Sequence, residues 1–278
     1  VRKGETLSSE SYQVFGGGKG LNQSIAMARA GVPVWHAGAV GADGDFLIRM
    51  LKEAGVCTEY VRVLDQQCTG HAIIQNDKEG DNCILLYGGA NQAVTREHAD
   101  QVLKDFGEDT LHVLQNEISE LAYIMKTAHE RGIKIVLNPS PMDQKIKELP
   151  LEYVDYFILN EVEAAGLTGI KLTADADGVA AAERLRERFP GAAVVLTLGA
   201  QGSVYADSET IIRQDAYIVD AVDTTAAGDT FTGYFIAGLL KNSDMREAMD
   251  QASRAAALAV MRPGAAPSIP TAEEVGGF

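Results

Sequence analysis

From residue 95 to residue 199 the chain repeats one move: an amphipathic helical stretch, then a short apolar run. TREHADQVLKDF leads to LHVLQ, LAYIMKTAHERG leads to IKIVLN and DYFILN, and AAAERLRERF leads to AAVVLTLG. The apolar runs do not alternate with polar residues, so both faces of each must be covered. That is the pattern of a parallel sheet with helices on either side. The expectation is one α/β core.

The flanking regions fit around that core. A helical pattern follows the glycine-rich stretch VFGGGKGLNQ and closes at Gly31, and VPVWHAGAV reads as a strand before the helix DFLIRMLKEAG. GHAIIQN (70–76) and NCILLYG (82–88), separated by the polar DKEGD, read as a hairpin that leaves the core as a small flap or second sheet. GSVYADS and TIIRQD read as a second hairpin. Two long helices follow, at about 228–241 and 244–261, and Thr271 with Glu274 forms a capping box for a short last helix. Trp35 reads as core or near-core, and His36, His98, His112 and His129 as structural. The alanine-rich run 255–260 reads as a close-packing helix face.

Several function classes drop out. The net charge of −15 argues against a nucleic-acid partner. No apolar run approaches the length that crosses a bilayer. Cys57, Cys68 and Cys83 form no Cys-x-x-Cys pair and read as reduced thiols of a cytoplasmic protein, and the five histidines are scattered without zinc spacing. The glycine-lysine stretch is not a phosphate-binding loop, because Gly20 stands after Lys19 where Ser or Thr is required. Nor is it a dinucleotide fingerprint, because Leu21 occupies the third glycine's place.

Four other stretches carry chemistry-bearing residues. In AVDTTAAGDTFTGYF (221–235), Ala226, Ala227 and Gly228 precede a strong helix. Bare amides beside residues too small to block approach suit an anion. Asp229, in the first turn, is placed to take a proton from an attacking hydroxyl, although an acidic first turn that complements the helix dipole is the plainer reading. In LNEVEA, Asn160 and Glu163 follow a strand end; Mg²⁺ binding through water and an ordinary acidic helix start weigh about equally. TLGAQGS (197–203) has two glycines able to lie against a nucleotide, or to make a simple turn. Glu117, after LHVLQN, is a further strand-end carboxylate with the same ambiguity.

Taken together, GGKGLNQSIAMARAG near the start and DTTAAGDTFTG near the end resemble the two signature regions of the ribokinase/PfkB family of sugar and nucleoside kinases. YQVFGGGKGLNQ, LNPSP, LNEVEA, TLGAQG, DTTAAGDTF and RPGAAPSIP follow in that family's order over nearly all of the chain. The resemblance implies a ribokinase-like three-layer α/β/α core with a mostly parallel sheet and a small β lid, residues 1–278 forming one domain. It implies an ATP-dependent transfer of the γ-phosphoryl group to the 5-hydroxyl of D-ribose. Fructose, 2-keto-3-deoxygluconate and a nucleoside are the alternative acceptors. A non-catalytic sugar- or nucleotide-binding protein on the same fold is the alternative class.

Residue by residue, the resemblance makes Gly18, Lys19, Gly20, Leu21, Asn22 and Glu117 a sugar clamp, with Asp229 as general base. The amides of Ala226, Ala227 and Gly228 become the anion hole. Asn160 and Glu163 act near the phosphates and Mg²⁺, while Thr197, Leu198, Gly199, Ala200, Gln201, Gly202 and Ser253 border the nucleotide. Asp223, Thr225, Ala259, Arg262, Gly264 and Ser268 map to a K⁺ site, several through backbone carbonyls; Pro263 replaces the family's usual lysine there. Family members begin with a strand carrying an Asn-x-Asp segment, and this sequence starts after that point, at VRKGETL, so that strand is expected to be missing. The resemblance also implies a homodimer clasped through the lid, with Ile73, Ile84 and Leu86 interfacial.

Overall fold

The computed structural model describes residues 4, 6, 8–10, 12–76, 82–169 and 178–278. The DKEGD turn at 77–81 lies outside the described residues.

The repeating middle of the chain forms a six-stranded sheet. Its strands are β5 (Leu111–Gln115), β6 (Lys134–Asn138), β7 (Tyr156–Asn160), β8 (Ala193–Thr197), β9 (Ser203–Ala206) and β10 (Ile211–Gln214). They lie in the order β10-β9-β8-β7-β6-β5; β5 to β8 run parallel, and β9 and β10 turn back antiparallel as the second hairpin.

Alternate residues of one strand feed two separate cores. Val195, Ile158 and Val136 face a core shared with helices α1 (Lys19–Arg29), α2 (Asp45–Glu53), α7 (Ala227–Leu240) and α8 (Met245–Val260). Val194, Leu196, Phe157, Leu159, Ile135 and Leu137 face the other, built with α3 (Arg96–Leu103), α4 (Leu121–Glu130), α5 (Glu161–Thr168) and α6 (Gly178–Arg188). Both faces of β6, β7 and β8 are therefore buried. This is why the strands carry no polar alternation, and the three layers follow from it.

Two further two-stranded sheets stand apart. β1 (Trp35–Gly41) pairs in parallel with β2 (Cys57–Leu64), a strand that the sequence reading passed over. CTEYVRVL is half polar and half-buried, so it lacks the apolar run that marked the others. Trp35 departs from the expected core position: it is 47% exposed and meets Phe106 edge-on at 5.7 Å.

β3 (His71–Asn76) and β4 (Asn82–Tyr87) form the expected hairpin, antiparallel and detached from both other sheets among the described residues. Its register shows how the residues expected at an interface are arranged. Ile73 lies opposite Leu85, whereas Ile74 lies opposite Ile84 and Ala72 opposite Leu86. Residues directly across an antiparallel ladder share a face, so Ile84 and Leu86 stand with Ile74 on one side and Ile73 stands on the other. The capping box appears as read, Thr271 and Glu274 opening α9 (Ala272–Gly276).

Candidate active site

The site begins with two backbones forced close together. A Cβ placed on Gly233 of α7 would sit 2.4 Å from Ala26 Cβ and 2.8 Å from Met27 N, both in α1. Only glycine permits that approach, and it lays the first turns of the two helices side by side. α1 starts at Gly18, whose φ of 101° and ψ of 141° belong to a region that side chains rarely enter. The chain thereby turns from loop to helix with Lys19, Gly20, Leu21 and Asn22 in the first turn.

Where the helices meet, Asp229 is 7% exposed. Asn22 Nδ2 donates to its Oδ2 at 2.9 Å, and Gln23 Nε2 donates to its Oδ1 at 3.0 Å. One donor to each oxygen leaves each a further lone pair. Asp229 is thus a buried, hydrogen-bonded carboxylate with capacity to accept a proton.

Just upstream, Ala226 caps α7 in the left-handed region at φ 62°, a conformation that costs a non-glycine residue about 1–3 kcal/mol. The Ala227 N–H donates to the Thr224 carbonyl at 3.3 Å, a long bond, while the Ala226 and Gly228 N–H groups have no partner among the described residues. Of the three amides expected to form an anion hole, two are therefore free and one is weakly engaged. A Cβ on Gly228 would meet nothing within 4 Å. No protein packing requires glycine there, so the open space beside the helix terminus is available to a ligand.

Glu117 follows β5 and faces the same first turn of α1, accepting the Lys19 N–H at 3.2 Å. Burial pushes its carboxyl above the ordinary value; the charge of Lys19 opposes that and the negative charge of Asp229 adds to it. Ser24 and His36 share a 2.8 Å hydrogen bond nearby, and desolvation holds the His36 imidazole down at about 4.

The remaining residues lie along the carboxyl ends of the parallel strands. Gln115 pairs with Asn138 across β5 and β6, and Asn160 with Thr197 across β7 and β8. Asn160 caps α5 in a full capping box: its Oδ1 accepts the Glu163 N–H at 2.9 Å, and Glu163 Oε2 accepts the Asn160 N–H at 3.0 Å. Glu163 is only 4% exposed and also accepts from Asn138 Nδ2 at 3.3 Å. The helix-start reading of LNEVEA is thus what the local geometry displays. Glu163 is nonetheless buried far more deeply than a cap needs.

The 197–202 loop turns β8 into β9. Gly202, at φ 89°, approaches so closely that a Cβ would lie 2.1 Å from the Gln214 carbonyl, so its glycine answers to the sheet. Gly199, at φ 54°, faces open space. Ser253 is buried in α8, which packs on β9 and β10.

The residues mapped to the K⁺ site divide. Asp223 Oδ1 accepts from the Thr225 N–H at 2.9 Å and from Thr225 Oγ1 at 2.6 Å, and Oδ2 accepts the Gly264 N–H at 2.8 Å. These bonds hold the Asp223 carboxyl below its usual value. Asp223 therefore ties the loop before α7 to the loop after α8. Arg262, by contrast, sends its guanidinium to Glu274 at 2.7 Å, the Ala259 carbonyl accepts the Arg262 N–H at 3.1 Å, and the Ser268 hydroxyl donates to the Ala265 carbonyl at 2.8 Å. Among the described residues no cluster of three or more His, Cys, Asp or Glu side chains is able to hold a metal ion.

Sequence reading missed Gln23, Gln115 and Asn138. The signal was present: LHVLQ and IKIVLN each end an apolar strand on a carboxamide, at the edge where ligands collect.

Residues 1–272 match the family model described as pfkB family carbohydrate kinase. The chain belongs to the pfkB family of carbohydrate kinases. Among curated members of that family it is 38% identical to a ribokinase of Staphylococcus aureus, over 99% of this chain and 92% of the relative. A solved ribokinase of Cryptococcus neoformans in complex with ADP superposes with a TM-score of 0.88 at 32% identity, covering 100% of this chain and 93% of that one. An Arabidopsis thaliana ribokinase complexed with ribose and ATP gives 0.85 at 29% identity, covering 99% and 91%. The fold is ribokinase-like, and the chain is a ribokinase-type carbohydrate kinase, a phosphotransferase acting on an alcohol group.

Proposed function

We propose that this kinase phosphorylates the 5-hydroxyl of D-ribose with ATP, and that Asp229 is the general base. The observation that carries the reading is the pairing of Asp229, buried and held at both oxygens by Asn22 and Gln23, with the open space at Gly228, where an added Cβ would meet nothing within 4 Å. A curated relative 38% identical to this chain and a solved structure that superposes at a TM-score of 0.88 are both ribokinases.

The acceptor sugar lies between Lys19, Asn22 and Glu117, which supply hydroxyl donors and acceptors over glycine backbone that permits close approach. Its hydroxymethyl group meets Asp229, which takes the proton as oxygen attacks phosphorus. Developing charge on the transferred group faces the Ala226 and Gly228 amides and the positive end of α7. The hydroxyl thus gives its proton to Asp229 as its oxygen bonds phosphorus and the bond from phosphorus to ADP breaks, and holding the attacking and leaving oxygens in line is the main task.

The nucleotide lies along the strand ends, bordered by 197–202 and Ser253. Glu163 and Asn160 offer oxygen atoms that would hold Mg²⁺ through its water shell, and the ion would offset the charge of the phosphates. An oxygen-only set around Asp223 suits a hard alkali cation such as K⁺, which would steady the two loops that Asp223 joins. A cytoplasmic location, where ATP is abundant, agrees with three free cysteines, and no described helix is long and apolar enough to cross a membrane. The hairpin β3–β4 is the lid, and its apolar faces clasp a second copy to make a homodimer.

ADP release with Mg-ATP and K⁺ tests the reading across D-ribose, 2-deoxyribose, fructose, 2-keto-3-deoxygluconate and adenosine. Strong preference for ribose is expected. Preference for another acceptor would reassign the clamp and keep the phosphoryl transfer.

A further inference from the structure

The hydrogen bonds around Asp229 form a chain with a fixed direction. Gln115 Nε2 donates to Gln23 Oε1 at 2.7 Å. The Gln23 amide protons then point the other way, to Asp229 Oδ1 at 3.0 Å and to Asn138 Oδ1 at 3.1 Å. Asn138 passes its own amide protons to the Ile158 carbonyl at 2.9 Å and to Glu163 Oε2 at 3.3 Å. Glu163 closes the chain on the Asn160 N–H.

Every acceptor in the chain is filled by the donor before it. Flipping the Gln23 carboxamide would set donor against donor at Gln115 and acceptor against carboxylate at Asp229. Gln23 is 1% exposed, so each such mismatch would be buried and unrelieved. A residue whose task was to fill space at the α1–α7 joint would be apolar, as Ile25 and Ala26 beside it are.

We propose that Gln23 is a positioning residue: oriented by Gln115, its carboxamide aims the Asp229 carboxylate and links it through Asn138 to Glu163, so that the base and the phosphate side of the site are held as one body. This rests on the reading of Asp229 as the base. Gln23 needs no contact with either substrate. It donates to Oδ1 and leaves the second lone pair of that oxygen for the incoming hydroxyl proton.

The test is the pH dependence of kcat in Gln23→Glu, Gln23→Met and Gln115→Leu, with Asp229→Asn alongside. Gln23→Glu replaces a donor by a carboxylate facing Asp229, and like charges at that separation resist joint ionisation. The acidic limb of kcat should therefore move up by about one to two pH units and kcat at pH 7 should fall about a hundredfold, with the sugar KM within about threefold. Gln23→Met, which only removes the donor, should lower kcat about tenfold with a smaller upward move. Gln115→Leu alters a half-buried side chain outside α1, and so keeps the test open if the Gln23 variants fail to fold. It should move the limb in the same direction, with kcat about threefold lower.

A space-filling glutamine would lower the melting temperature and leave the limb in place. Unmoved limbs beside an inactive Asp229→Asn overturn the positioning role alone. An active Asp229→Asn overturns the base reading, and this inference with it.

Discussion

At the joint of α1 and α7 the chain buries its polar groups: Asn22, Gln23, Asp229, Asn138 and Glu163 are all below 9% exposed and linked by hydrogen bonds. In the β3–β4 hairpin it exposes its apolar ones. Ile73, Ile74, Ile84, Leu85, Leu86 and Tyr87 are each between 48% and 63% exposed, on both faces of the ribbon. Each region reverses the usual rule, and each reversal calls for something the isolated chain lacks. A buried carboxylate with spare lone pairs is arranged for a substrate proton. A bare apolar ribbon is arranged to be covered, since two strands alone are marginal in water. Function is concentrated where folding preference is contradicted.

The largest break at the joint is Asp229→Asn. It keeps shape and removes the base, and kcat should fall by about 10²–10⁴ while ADP affinity, read by calorimetry, stays near wild type. Gly228→Ala is the sharper probe of the open space. It should lower kcat by about tenfold or more with an unchanged or slightly raised melting temperature, because alanine favours a helix and no protein atom is in the way. Gly233→Ala attacks the joint itself. The added methyl has to displace α1, at about 1–3 kcal/mol in denaturant unfolding, with a loss of kcat as Asn22 and Gln23 shift from Asp229.

Glu117 offers a smaller, signed effect. Its carboxyl is raised in the folded chain, so the folded state holds a proton that the unfolded state has lost, and stability falls as pH climbs from the ordinary glutamate value of 4.5 through the raised one. Glu117→Gln should flatten that decline in melting temperature while weakening sugar affinity. At the hairpin, Ile84→Lys with Leu86→Glu should shift sedimentation from dimer to monomer with the smallest change in melting temperature, since both side chains are already exposed in one copy. A monomeric wild type would remove that side of the comparison.

The layered core was legible because parallel strands covered on both faces must be apolar at their centres, and IKIVLN, DYFILN and AAVVLTLG are. CTEYVRVL escaped because its half-buried faces give no such run. Asp229, Asn22 and Glu117 were legible through motif and strand end. Gln23 was not, because its importance lies in pairings across 115 and 206 residues that no local pattern encodes; Gln115 and Asn138 were marked only as carboxamides at strand ends. The hairpin was legible as a ribbon, yet its facing depends on register: one residue separates Ile73 from Ile74 and places them on opposite sides.

Asn22 and Asp229 stand 207 residues apart in sequence. A ribosome makes the proposed clamp early and the proposed base late, so for most of its synthesis the chain carries half of the proposed site. The bonds from Asn22 and Gln23 to Asp229 form only after α7 emerges and Gly233 docks on Ala26. With Asp229 as the proposed base, a product ending before residue 229 should release no ADP from ATP. The long span slows folding, because distant contacts form last, but it also makes activity a report that nearly the whole chain has folded.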